Sequence, residues 1–190
     1  MVKNILINSR IVKSDFLDSN RYSFFLTKNN ANLYNYRKMY QQLRVLIYIL
    51  KKVHNQRGLM IFLGLTDKDY VNYLSFNNIL KRLVISKGHI YGDSKFNGIL
   101  YNRWSLYKRR SNPSDFFLKL QKNNKLPVIL ISFSKETDSS ILREFSKFGI
   151  PIFFVLEGSS HLEFKDYPIL GSYSNKMLNL YLTILKYSLK

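Results

Sequence analysis

Two short segments dominated by apolar residues constrain the fold of this chain more than any other feature. They are PVILISF (127–133) and IPIFFVL (150–156). Strands that are apolar on both faces and joined by a helix indicate a parallel sheet covered by helices on both sides. The intervening segment fits such a helix, because its apolar residues recur at helical spacing. These residues are Ile141, Leu142, Phe145 and Phe148.

Further strands and helices extend this pattern toward both ends of the chain. Strands are predicted at YSFFLT (22–27), LMIFLGL (59–65) and HIY (89–91). Helices are predicted over 36–54, between Asp67 and Gly88 with a break near Asn77–Asn78, over 115–122, and from Ser134 to Gly149. Gly58 is the predicted stop of the first helix. The sequence therefore predicts a mostly parallel Rossmann-like or flavodoxin-like α/β layer sandwich over 22–190, after an irregular arm over 1–21.

The apolar faces of two helices can be read directly from the residue spacing. The helix after Asp67 is predicted to bury Tyr70, Val71, Leu74, Ile79, Leu80, Leu83 and Val84. The last helix is predicted to be capped by Ser174 and to bury Met177, Leu178, Tyr181, Ile184, Leu185 and Leu189. The segment YPILG (167–171) before it is expected to be a loop that passes over the sheet.

The chain is strongly basic, with 30 Lys and Arg against 12 Asp and Glu and a formal net charge of +18. Residues 1–66 hold 11 basic and 2 acidic side chains, 67–133 hold 12 and 4, and 134–190 hold 7 and 6. An excess of this size attracts polyanions, of which nucleic acid is the first candidate. We expect the polyanion to lie against the first two thirds of the chain.

The composition also excludes several kinds of site. There is no cysteine, which rules out disulfides, thiolate metal sites and a cysteine nucleophile. The longest apolar runs are too short to span a bilayer, so no membrane partner is expected. Ala31 is the only alanine, whereas Lys, Asn, Ile, Leu, Tyr and Phe are abundant. This bias is typical of an AT-rich genome, such as that of an organelle.

The motifs of catalytic sites are mostly absent. No glycine pattern for a dinucleotide or a nucleotide phosphate follows any predicted strand, and the three histidines lack metal-ligand spacing. The acidic residues Glu157, Glu163 and Asp166 fall in one predicted loop. They are consistent either with solvated loop charges or with the acid and base of a small α/β enzyme that acts on a nucleic acid or phosphorylated substrate.

The segment RWSLYKRR (103–110) interleaves arginine and lysine with Trp104 and Tyr107. Guanidinium groups match phosphate geometry, and aromatic rings stack on unpaired bases. The alternative is a solvated basic loop that Trp104 anchors to the core. The outer face of helix 36–54 is a second candidate basic surface.

Five segments in order along the chain resemble the ribosomal protein S two family of the small ribosomal subunit. The most specific lies near the C-terminus, where ILREFSKFGIP (141–151) and YPILG (167–171) match the family's Ile-Pro strand start and its Tyr-Pro-Ile-Pro-Gly motif. YSFFLTKNNANLYN (22–35), IFLGLTD (61–67) and KFNGILYNR (95–103) resemble three earlier motifs of the family.

The chain also departs from that family. The Gly-x-His-x-Gly-His start is absent, and Ser172-Tyr173-Ser174 stands in place of an acidic Asn-Asp-Asp. The family's Val-Asp-Thr-Asn is replaced by Leu156-Glu157-Gly158-Ser159. Only residues 103–125 fill the position of its coiled-coil hairpin, so this insertion is largely lost.

The resemblance implies a structural constituent of the small ribosomal subunit. The reduced insertion, the divergence and the AT-rich bias together indicate a mitochondrial version, located in the matrix and encoded in the organelle. Its expected partners are small-subunit rRNA and neighbouring ribosomal proteins, with no catalytic activity, no cofactor, no metal and no homo-oligomer. The residues expected to bind RNA are Arg21, Lys28, Arg37, Lys38, Lys95, Arg103, Lys108, Arg109 and Arg110.

Overall fold

A computed structural model describes residues 25–28, 31–34, 36–65, 73–92, 100, 126–134, 139–156 and 167–190. The strands are β1 (Phe25–Lys28), β2 (Ala31–Tyr34), β3 (Met60–Leu63), β4 (Ile90–Gly92), β5 (Ile129–Ser132), β6 (Ile152–Leu156) and β7 (Tyr167–Leu170). The helices are α1 (Tyr36–Asn55), α2 (Tyr73–Ser86), α3 (Ser139–Lys147) and α4 (Asn175–Ser188).

The central sheet has five strands in the order β4-β3-β5-β6-β7, and every neighbouring pair is parallel. This is the strand order of flavodoxin-like folds, so the predicted α/β class is confirmed. β1 and β2 form a separate antiparallel hairpin immediately before α1. The segment YPILG, expected to be a loop, instead forms edge strand β7. Pro168 is tolerated there because an edge strand leaves one row of N–H groups without a partner strand.

The helices cover the sheet in two layers. α4 contacts both α1 and α2, which places these three helices in one layer, and α3 contacts β6. The connection from β3 to β4 runs toward one side edge of the sheet, and the connections from β5 through β6 to β7 run toward the other side edge. Right-handed crossovers in opposite directions put α2 and α3 on opposite faces of the sheet.

The core is continuous from the sheet into the three-helix layer. The strands β3 and β5 are buried along their whole length. α4 buries all six residues predicted for its face, and it also buries Leu180 and Leu182. These two additional residues are buried because α4 is flanked by helices as well as by the sheet.

Two helix predictions need correction. α2 continues without a break through Asn77–Asn78, and its buried face is Phe76, Leu80 and Val84. Leu74 and Ile79, predicted to be buried, are 70% and 42% exposed. On α3, Ile141, Leu142 and Phe145 are buried as predicted, whereas Phe148 lies after the helix end and is 40% exposed.

The helix ends also differ in detail from the sequence predictions. Arg57, with φ 54°, takes the left-handed position after α1, and Gly58 follows it. Gly58 is needed for space, because a Cβ there would lie 2.7 Å from Val53 Cγ1. Ser174 occupies the N-cap of α4, but its hydroxyl bonds the Ser172 hydroxyl at 3.0 Å and not a helix N–H. The arm 1–21, the predicted helix 115–122 and residues 135–138 lie outside the described residues.

Candidate nucleic-acid interface

The structure describes only part of the predicted RNA-binding set. Arg37 is exposed in the first turn of α1. Lys28 lies at the end of β1 and Lys38 in the first turn of α1. The remaining six lie outside the described residues: Arg21, Lys95, Arg103, Lys108, Arg109 and Arg110.

The outer face of α1 places basic and aromatic side chains side by side. Arg44 and Lys52 are exposed, and Tyr48 is 65% exposed. The guanidinium of Arg44 lies 5.8 Å from the ring centroid of Tyr40, and Lys52 Nζ lies 6.0 Å from that of Tyr48. These spacings fall within the range of cation–π contacts. The predicted basic surface on this helix is therefore interleaved with aromatic rings.

α4 extends this surface with residues that the sequence analysis did not single out. Lys51 Nζ on α1 lies 3.7 Å from the ring centroid of Tyr187 on α4, and Tyr187 is 59% exposed. Lys186 is exposed beside it. We define the α1–α4 basic surface as Arg44, Tyr48, Lys51, Lys52, Lys186 and Tyr187. The only signal in the sequence is that Lys186 and Tyr187 fall off the apolar stripe of the last helix.

Of the 12 acidic residues of the chain, one lies within the described ranges and the other 11 lie outside them. The one inside is Glu144, which is 5% exposed and accepts a hydrogen bond from the backbone N–H of Leu100. Within the described side chains, every charged group that is exposed or half-buried is cationic. These side chains are Arg37, Arg44, Lys51, Lys52, Arg57, Lys81, Arg82, Lys87, Arg143, Lys147, Lys176, Lys186 and Lys190.

The carboxyl edge of the sheet, where flavodoxin-like folds bind ligands, is filled at the switch point between β3 and β5. Asn77 Nδ2 donates to the Leu65 carbonyl at 2.7 Å, and its Oδ1 accepts from the Leu65 N–H at 2.9 Å. Phe133 follows β5 and packs between Phe76 and Tyr181, with ring centroids 5.4 and 5.8 Å away. Residues 66–72, 93–99 and 135–138, which follow β3, β4 and β5 at this edge, lie outside the described ranges.

A metal site or a membrane span is not found in the described ranges. No group of three or more metal-ligating side chains comes together in them. No helix of the described ranges combines the length and apolar character that crossing a bilayer requires. The carboxylates of Glu157, Glu163 and Asp166, on which an enzyme would depend, fall outside these ranges.

The sequence matches no family model, and the search of curated proteins returns no match.

Proposed function

We propose that this chain is a structural constituent of the mitochondrial small ribosomal subunit, which binds rRNA through its basic helical layer. The observation that carries the proposal is the α1–α4 basic surface, on which cations lie against aromatic rings, in a chain with a formal net charge of +18. A surface of this kind binds a polyanion by neutralising phosphates and releasing counterions.

Among polyanions, the α1–α4 basic surface favours a nucleic acid as the partner. Tyr48 and Tyr187 are both more than half exposed, and each has a lysine ammonium within 6.0 Å of its ring centroid. Exposed aromatic rings offer a stacking surface for unpaired bases, while the neighbouring cations contact phosphates. RNA loops present both groups together, because their bases are unstacked and accessible.

The ribosomal part of the proposal is supported by the five motifs that resemble the ribosomal protein S two family. The flavodoxin-like strand order fits the Rossmann-like fold expected for that family. Localisation to the mitochondrial matrix rests on the resemblance and on the AT-rich bias of the composition.

The alternative, a small α/β enzyme, is not favoured by any described residue. Asn77 and Phe133 make packing and hydrogen-bond contacts at the switch point of the carboxyl edge, which an enzyme of this fold would use. The three carboxylates on which the alternative depends lie outside the described ranges.

The first test is gradient sedimentation of organelle lysate, with mass spectrometry across the fractions at low and moderately high salt. We expect the protein to migrate with small-subunit rRNA at both salt concentrations. Migration near its own mass of 22.6 kDa at both concentrations would contradict the ribosomal assignment.

A second test locates the RNA contacts on the α1–α4 basic surface. Binding of transcribed small-subunit rRNA is measured against salt for Arg44→Gln/Lys52→Gln and for the control pair Arg143→Gln/Lys147→Gln on α3. Each lost phosphate contact lowers the slope of log K against log salt by about 0.7–0.9. We expect a lower slope for the α1 pair alone. An equal decrease for both pairs would show that this surface is not the interface.

A further inference from the structure

A small pocket lies at the amino edge of the sheet, opposite the edge that usually binds ligands in this fold. It has a volume of about 220 Å³ and is lined by His54, Arg57, Gly58–Leu59, Lys87 and Gly88–His89. These residues surround the entrances to the neighbouring strands β3 and β4. The volume corresponds to about seven waters at ~30 Å³ each, and it is below the ~300 Å³ at which pockets for drug-sized ligands begin.

Two helix ends form the frame of the pocket. After α1, the Arg57 and Gly58 N–H groups bond the carbonyls of His54 and Val53 at 2.9 and 2.8 Å. After α2, the Gly88 and His89 N–H groups bond the Ile85 and Val84 carbonyls at 3.0 and 3.1 Å. Both are Schellman turns, in which these bonds satisfy the last carbonyls. Because these N–H groups are engaged, a ligand must be held by side chains.

Arg57 occupies a position in which the backbone favours glycine. Its φ of 54° is left-handed, and the equivalent positions after α2 and α3 are Gly88 and Gly149, with φ of 76° and 64°. A side chain in this region costs about 1–2 kcal/mol. Residues that are held in such strained conformations cluster at functional sites. The turn after α1 therefore carries an arginine at a position where glycine would avoid this conformational cost.

Two histidines line the same pocket. His54 Nδ1 lies 3.1 Å from His89 Nε2, so one ring donates a hydrogen bond to the other. His89 is 5% exposed, and its Nδ1 has no hydrogen-bond partner among the described residues. The second ring nitrogen of His54, Nε2, is not engaged by this bond. The pair adds polar nitrogens to a pocket that already holds two permanent cations.

The electrostatic balance of the pocket favours an anion. Arg57 and Lys87 are exposed, and no carboxylate of the described ranges forms an ion pair with either of them. Each helix C-terminus contributes roughly −0.5 of an elementary charge, which two full positive charges exceed. A metal cation would meet these charges with only two imidazoles as ligands.

We propose that the amino-edge pocket binds a phosphate group, with the Arg57 fork and the Lys87 ammonium as its charged contacts. A guanidinium matches two phosphate oxygens at once, and an ammonium supplies a point charge on a third side. Assigning the ligand to the RNA backbone rests on the proposed function. A free phosphate is the other source with the same chemistry.

The test follows the imidazole NMR signals of the full chain during titration with inorganic phosphate, against sodium chloride of equal ionic strength. We expect saturable shifts of the imidazole signals of His54 and His89, and a higher titration midpoint for His89, because a bound anion favours the imidazolium form. The double variant Arg57→Gln/Lys87→Gln should weaken binding at least fivefold. Lys81→Gln/Arg82→Gln on α2 removes the same charge outside the pocket and should leave binding within twofold of the unchanged chain.

Equal weakening in the two double variants would overturn the site, because the effect would then follow net charge alone. Absence of saturable shifts in the unchanged chain would also overturn it. Arg57→Lys retains the charge and loses the fork, and we expect it to bind more weakly than the unchanged chain and more tightly than the double variant. Circular dichroism checks that every variant is folded.

The source of the phosphate is tested with a uridine tetranucleotide and with uridine, which has no phosphate. Binding of the tetranucleotide but not of uridine, with loss in Arg57→Gln/Lys87→Gln, supports the RNA backbone. Binding of inorganic phosphate without the tetranucleotide overturns that assignment. These outcomes do not depend on gradient sedimentation, so failure of the pocket and failure of the ribosomal proposal can be told apart.

Discussion

The two edges of the parallel sheet, at the carboxyl and the amino ends of the strands, differ in the side chains that lie there. At the carboxyl edge, the Asn77 amide hydrogen-bonds both the N–H and the carbonyl of Leu65. Phe133, which follows β5, packs there between one aromatic ring of α2 and one of α4. At the amino edge, two helix ends leave a pocket of about 220 Å³ with Arg57 and Lys87 at its rim. In flavodoxin-like enzymes the carboxyl edge is the open one.

This difference shows that strand order alone does not decide where a ligand binds. Both edges come from the same strands, but Asn77 and Phe133 pack the switch point between β3 and β5, whereas Arg57 and Lys87 line the pocket at the entrances of β3 and β4. A fold therefore limits the positions available, whereas the residues at those positions decide their chemistry. The four predictions below test this contrast, from the largest expected effect to the smallest.

Phe133 should be the most sensitive residue of the closed edge. Its side chain is 1% exposed and contacts two other aromatic rings. Phe133→Ala should lower the free energy of unfolding by about 3–5 kcal/mol, because it removes buried surface and leaves a cavity. Urea unfolding measures this loss, and Phe133→Leu should cost less. A loss below about 1 kcal/mol for the alanine variant would mean that the switch point is not tightly filled.

Asn77 should stabilise the same edge through its two hydrogen bonds. Leu65 is 2% exposed, so Asn77→Ala leaves a buried N–H and a buried carbonyl without partners. We expect a loss of about 2–3 kcal/mol in urea unfolding. The neighbouring Asn78 is exposed and serves as the control, since Asn78→Ala should change stability by less than about 0.5 kcal/mol. Equal effects at the two positions would contradict the role assigned to Asn77.

The open edge should make stability depend on pH. Burial, and to a lesser extent the neighbouring His54, lowers the pKa of His89 from 6.5 to about 4. The unfolded chain therefore binds more protons between these values, and stability falls as the pH is lowered through this window. Between pH 7 and pH 5 the expected loss is about 2 kcal/mol.

The other titratable or charged groups that line the pocket with His89 are His54 from α1, Arg57 from the turn after α1, and Lys87 from the turn after α2. The measurement is urea unfolding at pH 7, 6 and 5, with His89→Gln as the comparison. If the variant keeps the full pH dependence, then the titration belongs to other groups.

Arg57→Gly should give the smallest effect on stability and a gain instead of a loss. It relieves the left-handed strain but increases the freedom of the unfolded chain, so we expect a net gain of about 0.5–1 kcal/mol. Arg57→Ala keeps the strain and should bring no gain. Under the phosphate proposal, the glycine variant binds inorganic phosphate more weakly although it is more stable. If the glycine variant is more stable and its phosphate binding is unchanged, then Arg57 does not contact the phosphate.

Sequence reasoning was most accurate where one element carries a strong periodic signal. The buried face of α4, the strands β3, β5 and β6, and the glycine at the end of α3 follow from local sequence signals alone. On α2 the prediction was wrong for Leu74 and Ile79, because Phe76 and Asn77 set the helix rotation through contacts with Phe133 and Leu65. Those partners are distant in the chain and leave no local pattern.

The candidate sites also differ in how much of each could be predicted from local sequence. From charge and periodicity, the sequence predicted a polyanion partner and a basic surface on the outer face of α1. It gave no sign that Tyr187 would meet Lys51, or that His54 and His89, 35 residues apart, would lie within 3.1 Å. Each of these pairs joins two elements whose packing depends on the whole sheet.

The sequence by itself determined the fold class, because apolar strands alternating with amphipathic helices can be buried only as a helix-covered parallel sheet. It also determined the cationic character of the chain, which composition alone sets. Tertiary structure decided the strand order, the edge position of β7, the rotation of α2 and the pocket between two helix ends. These features arise from contacts between residues far apart in the chain, and local periodicity records which face of an element is buried but not what covers it.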